Sequence, residues 1–394
     1  MRRIGAIATK AYALGFLVEC SCGSGAGSPS KDAGVVVEAM AASPDAAIDA
    51  ASGPVCVPTS DAGLGSSQGG GWGAPPPSCA PGGPGLTNCG AGSESCCTSL
   101  PVPGGMYHPA YSNVGGDGGL IDEGVLARIS DFRLDKYLVT VGRFRQFVNA
   151  WTRACYRPPV GSGKHVHLNG GKGLQDLDSA ALPPAYEPGW EALDDDYVEV
   201  SNAALITSCD TPEVATWTPS PGSQENLPIN CLSWYDAFAF CIWDGGFLPS
   251  AVEWEYAAAG GSEERTFPWG STPPGVGNQY AIFNCDYPSG LGLCSGVANI
   301  APVGTATRGA GRWGQLDLAG DLDEWNLDEG GGPSRYFPCV DCVTFGQGAQ
   351  NDREDRGGDF ADPTAALVPP YNTEDESPPG YDVVGFRCAR PPAL

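Results

Sequence analysis

Sixteen cysteines in 394 residues constrain this chain more than any other feature. Reducing compartments keep thiols unpaired, so a chain this rich in cysteine is expected in an oxidising one, exported and stapled by disulfides. Spacing sorts part of the set. Cys79, Cys89, Cys96 and Cys97 fall in one short segment and predict two stapled loops; no His is interleaved at zinc-site spacing. Cys285 and Cys294 bracket DYPSGLGL and predict another short staple. Cys339 and Cys342 form a C-x-x-C with no βαβ pattern around it, which reads as a structural disulfide and not a redox pair. Beyond residue 102, Cys155, Cys209, Cys231, Cys241 and Cys388 are left, and spacing alone does not pair them.

The start of the chain agrees with export. Arg2, Arg3 and Lys10 precede an apolar stretch at residues 11–18, and Cys20 and Cys22 follow, the order of a bacterial lipoprotein signal. Cys22 or Cys20 is the expected lipidation site; an anchor on Cys22 leaves an even number of cysteines after it. Attachment to a membrane is expected through that lipid alone, at the outer membrane or cell surface, and otherwise the protein is periplasmic or secreted. Residues 1–22 are thus expected to be the signal and 23–101 a Gly-, Ser-, Ala- and Pro-rich tether that ends in the cysteine cluster. Such a segment buries too little apolar surface to offset its conformational entropy. From 102 to 394 the aromatics concentrate and the chain turns globular. A net charge of −25 repels phosphate backbones, so nucleic acid is not an expected partner. Three His and three Met exclude a His-rich metal store and argue against haem.

Three helices are legible. Phe144, Phe147, Val148 and Trp151 share one face, with Thr140 as N-cap. Ser233 with Asp236, and Ser250 with Glu253, are capping boxes for two more, the last closed by Gly260 and Gly261. The rest is Gly-rich with short apolar runs, which predicts loops and a small irregular sheet. No P-loop, dinucleotide fingerprint or Gly-x-Ser-x-Gly elbow is present.

Five motifs follow in order: LPINCLSWYDAFAFCIWDGGFLPSAVEWEYAAAGG from Leu227, FPWG at 267–270, WGQLDLAGDLDEW at 313–325, RGGDF at 356–360 and VVGFRCAR at 383–390. Together they resemble the sulfatase-modifying factor, or formylglycine-generating enzyme, family across 102–394. The resemblance implies an α+β fold: a single loop-rich domain, similar to C-type lectins, with structural calcium. Asn284 and Asp321 fall on calcium-binding positions of the family, and Ser295 stands where an Asp completes that site. Alternatively, the acidic run Asp317, Asp321, Asp323, Glu324 and Asp328 is a solvated, self-repelling face. Glu253 and Glu255 read as a cap and a buried partner. Arg356 and Arg387 read as forks that bridge carboxylates and carbonyls.

Activity does not transfer with the motifs. The family oxidises a substrate cysteine with oxygen at a copper(I) held by two cysteines. Those positions are Asp362 and Leu367 here, and neither is a thiolate. The ergothioneine-type relatives hold iron on a His-x-x-x-His-x-Glu motif, which this chain lacks. His165 and His167 sit in GKHVHLNGG, a spacing at which two His share a metal, but the glycines read as an exposed loop. Two functions remain open. One is a non-catalytic surface module or scaffold that holds a peptide or glycan in the family's cleft. The other is an oxidoreductase whose copper or iron site has moved to Cys388 or the His pair; it requires a reduced thiol.

Overall fold

The computed structural model describes residues 76–393 except 81, 110, 112–124, 178–183, 208, 210, 331–337, 346–351 and 378–379. The expected signal, both candidate lipidation sites Cys20 and Cys22, and most of the tether lie outside these residues.

The strands are short because Gly and Pro interrupt them. In chain order they are β1 (Ser99–Val102), β2 (Gly105–Tyr107), β3 (Ala127–Ile129), β4 (Phe132–Asp135), β5 (Gln175–Asp176), β6 (Asp323–Glu329), β7 (Cys339–Val340), β8 (Cys342–Val343), β9 (Asp352–Arg356), β10 (Asn372–Glu376), β11 (Val384–Gly385) and β12 (Ala389–Arg390). The largest sheet runs β10-β9-β6-β11, antiparallel except that β11 is parallel to β6. A second runs β1-β4-β12, and β2-β3-β7 and the pair β5-β8 complete the set.

The helices form where the caps predict. They are α1 (Val141–Arg153), the single turn α2 (Ala204–Thr207), α3 (Trp234–Trp243) and α4 (Ala251–Ala259). The Thr140 hydroxyl accepts the Arg143 N–H, and Ser233–Asp236 and Ser250–Glu253 both close reciprocal capping boxes. Gly260 ends α4 at φ 70°, the left-handed cap that glycine adopts without a Cβ penalty. One face of α1 meets α3 through Phe144, Phe147 and Phe240, the first and last stacked at 5.7 Å. A second core lies beneath α4, around Trp254, Phe132 and Tyr107.

The cysteines staple this loop-rich body. Cys79 pairs with Cys97 and Cys89 with Cys96, the two stapled loops expected. Cys285 pairs with Cys294 and Cys339 with Cys342. Cys209 joins Cys231, and Cys241 of α3 joins Cys388 just before β12. Cys155 is disulfide-bonded as well, so all the described cysteines are oxidised. The stapled loops pack on α1 ahead of the boundary drawn at 102. The Arg143 guanidinium donates to the Ser78 hydroxyl at 3.0 Å and to the Cys96 carbonyl at 3.2 Å.

The acidic run is not a solvated face, a correction to that expectation. Asp317, Asp321, Asp323, Glu324 and Asp328 are all buried. They hold loops that have no ladder of their own. Asp328 accepts the Ala251 and Thr344 N–H groups, and Asp317 accepts that of Gly304. Arg387 forks onto Glu324 at 2.6 and 2.7 Å and also donates to the Asp135, Lys136 and Asp317 carbonyls. Arg356 pairs with Glu255 at 3.2 Å and Glu354 at 2.6 Å.

Candidate functional site

The turn that follows β9 carries Asp362 and Leu367, the two positions at which the resemblance places the family's copper. Leu367 is buried in a small apolar cluster with Phe267, Phe283 and Ala319. Asp362 is 9 % exposed, and its backbone N–H returns to Asp359 Oδ1 at 3.0 Å. An alkyl side chain and a hard carboxylate do not fit copper(I), which selects thiolates. No step through copper follows from these residues.

Cys388 and His165 give the relocated redox site no support. Cys388 is bonded to Cys241 and is not a thiolate ligand. The His pair is not an exposed loop, a second correction. Glycine-rich turns carry His165 inward, where it is wholly buried between two carboxylates. Its Nδ1 lies 3.0 Å from Glu187 Oε2 and its Nε2 lies 3.0 Å from Glu253 Oε2. Burial alone lowers such a pKa, but Glu253 and Glu187 override it and raise His165 to about 10. Protonated and with both nitrogens committed, this imidazole offers no lone pair to a metal. His167 stacks on Phe247, with ring centroids 5.7 Å apart, and lines a broad hollow beside Arg128 and Asp131. Nothing in the local sequence marks Glu187, which is 22 residues from its histidine.

The three residues expected at calcium are placed differently from one another. Asp321 is buried at a left-handed φ of 75°; its Oδ1 accepts the Ala301 N–H at 2.8 Å and its Oδ2 meets no donor among the described residues. Burial, then repulsion from Asp317, pushes its carboxyl well above the usual range. Preceding it, Gly320 admits no side chain, since a Cβ there would lie 2.2 Å from the Ile282 carbonyl. Ser295 gives its hydroxyl and its N–H to Asn299 Oδ1. Asn284 is exposed. A buried oxygen without a donor is what a cation ligand leaves, and on that ground Asp321 fits a hard cation.

A concave cavity of about 330 Å³ opens between α3 and the main sheet. Trp234, Phe238, Tyr186 and Phe345 supply aromatic walls, and Asp194 and Arg353 supply polar edges. Arg353 stacks 4.0 Å above the Trp234 ring and reaches Glu329 at 3.3 Å, while its Nε has no acceptor among the described residues. Burial raises the Asp194 carboxyl.

Comparison with known proteins agrees with the motif order. The sulfatase-modifying factor enzyme 1-like domain family matches residues 94–392. The chain is 27 % identical over 275 residues to the formylglycine-generating enzyme of Thermomonospora curvata, covering 67 % of this chain and 84 % of that protein. It is 31 % identical over 177 residues to the inactive C-alpha-formylglycine-generating enzyme 2 of Mus musculus, covering 43 % of this chain and 52 % of that one. Among solved structures, PvdO from Pseudomonas aeruginosa aligns at a TM-score of 0.44 and 17 % identity, over 75 % of this chain and 94 % of that one.

Proposed function

The chain belongs to the family of sulfatase-modifying factor enzyme 1-like domains, and from that premise we propose that it is an exported, lipid-anchored, non-catalytic member that binds a peptide or glycan. One observation carries the non-catalytic reading. The family's two thiolate positions hold Asp362 and Leu367, the latter sealed in an apolar cluster, and all the described cysteines are disulfide-bonded. A relative similar over half its length is itself described as inactive, so the scaffold persists without the chemistry. Binding is supported by the cavity beside Trp234. Aromatic faces stack on sugar rings or apolar side chains, and Asp194 and Arg353 offer an acceptor and a donor to hydroxyls or peptide groups. Asp321, with Asn284 and Ser295, would hold a structural calcium, whose charge would neutralise a buried carboxylate and fix the loops that carry it. Export is supported by the oxidised cysteines and the basic-apolar-Cys start.

Screening the full-length protein against peptide and glycan arrays tests the binding role. Retention of one class, abolished by Trp234→Ala, supports it; no retention of either class overturns it. Mass spectrometry of the native N-terminus tests the anchor, with a lipid on Cys22 or Cys20 expected and an unmodified N-terminus contradicting it.

A further inference from the structure

Asp323, Asp359 and Asp362 come together from β6 and from the turn after β9. Each offers a carboxylate oxygen, and the three oxygens lie within 4.8 Å of one another. None is more than 9 % exposed. Backbone N–H groups shape the trio. Gly358 donates to Asp323 Oδ1 at 2.6 Å, and Ala361 and Asp362 donate to Asp359 Oδ1 at 2.5 and 3.0 Å. Among the described residues, neither Asp323 nor Asp359 meets a Lys or Arg. Asp323 and Asp359, held together without a Lys or Arg, repel one another at a cost that a bound ion would remove.

A fourth residue points the same way independently. Asp355 is fully buried on β9 and registers opposite Trp325, two residues along β6 from Asp323, so it shares a sheet face with Asp323. Its Oδ1 accepts the Thr373 hydroxyl, but its Oδ2 is buried with no donor among the described residues. That oxygen is the sort a missing positive charge would satisfy.

The geometry points to a hard divalent cation site on Asp323, Asp359 and Asp362, with Asp355 as its buried flank. One of its ligands, Asp362, stands at a position where the resemblance places a copper(I) thiolate, but the site takes a different ion by a different donor set. An oxygen-only set selects calcium, magnesium or manganese over copper(I) or zinc. Bonds of about 2.3–2.6 Å to a central ion bridge oxygens spread over that span. The ion would tie the turn after β9 to the main sheet.

Full-length protein stripped with EDTA is titrated with Mn²⁺, free ion being read from its paramagnetic resonance signal. Asp359→Asn and Asp362→Asn are expected to weaken one equivalent of uptake by at least about tenfold. Asp355→Asn is expected to weaken it less, and Asp321→Asn to leave it in place. Ca²⁺ should also raise the melting temperature of the wild type, a reading that needs no variant to fold. The proposal is overturned if the wild type takes up no Mn²⁺ beyond what Asp321→Asn loses, or if Asp362→Asn, folded by circular dichroism, binds as the wild type does. The titration is independent of the peptide and glycan arrays, so the two readings fail separately.

Discussion

His165 is where pH should act most strongly on this fold. The imidazole is wholly buried and held at both nitrogens by carboxylates, which keeps it protonated up to about pH 10 against an ordinary value of 6.5. Its folded pKa is raised, so the stabilisation is fully present below pH 6.5 and is lost as pH rises toward 10. The whole window corresponds to on the order of 5 kcal/mol as a ceiling, or about 1.4 kcal/mol for each pH unit. Between pH 7 and 9 the wild type should therefore lose about 2–3 kcal/mol more than His165→Gln, which has no proton to give up. Urea unfolding at pH 7, 8 and 9, monitored by tryptophan fluorescence, gives both slopes. Burial and neighbouring carboxylates raise other acids such as Asp328, so only the difference between wild type and variant isolates the histidine. His165→Gln should itself be destabilised by several kcal/mol at pH 6, because Glu187 and Glu253 are then left buried without a cation. Parallel slopes for the two proteins would show that the imidazole is neutral in the fold, and the reasoning would fail.

Three further outcomes are expected. Asp244 lies between Arg143 and Arg390, 2.6 Å from each, all buried; Asp244→Ala should cost about 3–5 kcal/mol in urea unfolding at pH 7. Burial raises that carboxyl, but the two guanidiniums overcome the effect and hold it below its ordinary value, so the cost should shrink as pH falls below about 4. The Cys241–Cys388 bridge closes a separation of 147 residues, and replacing both with Ala should remove roughly 3–5 kcal/mol, read as a lower melting temperature. Asp362→Cys combined with Leu367→Cys places two thiols where the family holds copper, and this variant should retain one equivalent more copper(I) on dialysis than the wild type.

Much of this fold is written in local chemistry. Thr140, Ser233 and Ser250 each announce a helix because a cap is settled within three residues, and the structure closes each of them. The short cysteine spacings behave likewise, since Cys285 and Cys294 need only one turn to meet. What the sequence hides is set by partners far along the chain. His165 sits among glycines that read as a loop, but Glu187 and Glu253, the latter 88 residues away, draw it inside. The acidic run reads as a solvated face when counted by charge. It is buried because backbone N–H groups and Arg387 answer it, and those become neighbours only when β6, β9 and β11 assemble. Asp359 was visible in RGGDF, yet its grouping with Asp323 and Asp362 depends on the turn after β9 folding back onto β6.

The scaffold is expected to persist in this chain without the thiolate centre. The direct test incubates the full-length protein, loaded with copper(I), with oxygen and a cysteine-containing peptide, and follows aldehyde formation on that cysteine by mass spectrometry. The expected result is an unchanged peptide and no peptide-dependent oxygen consumption. Copper-dependent conversion of the cysteine to an aldehyde, with turnover, would contradict the account and require a reduced thiol or other redox ligand set at work in this chain.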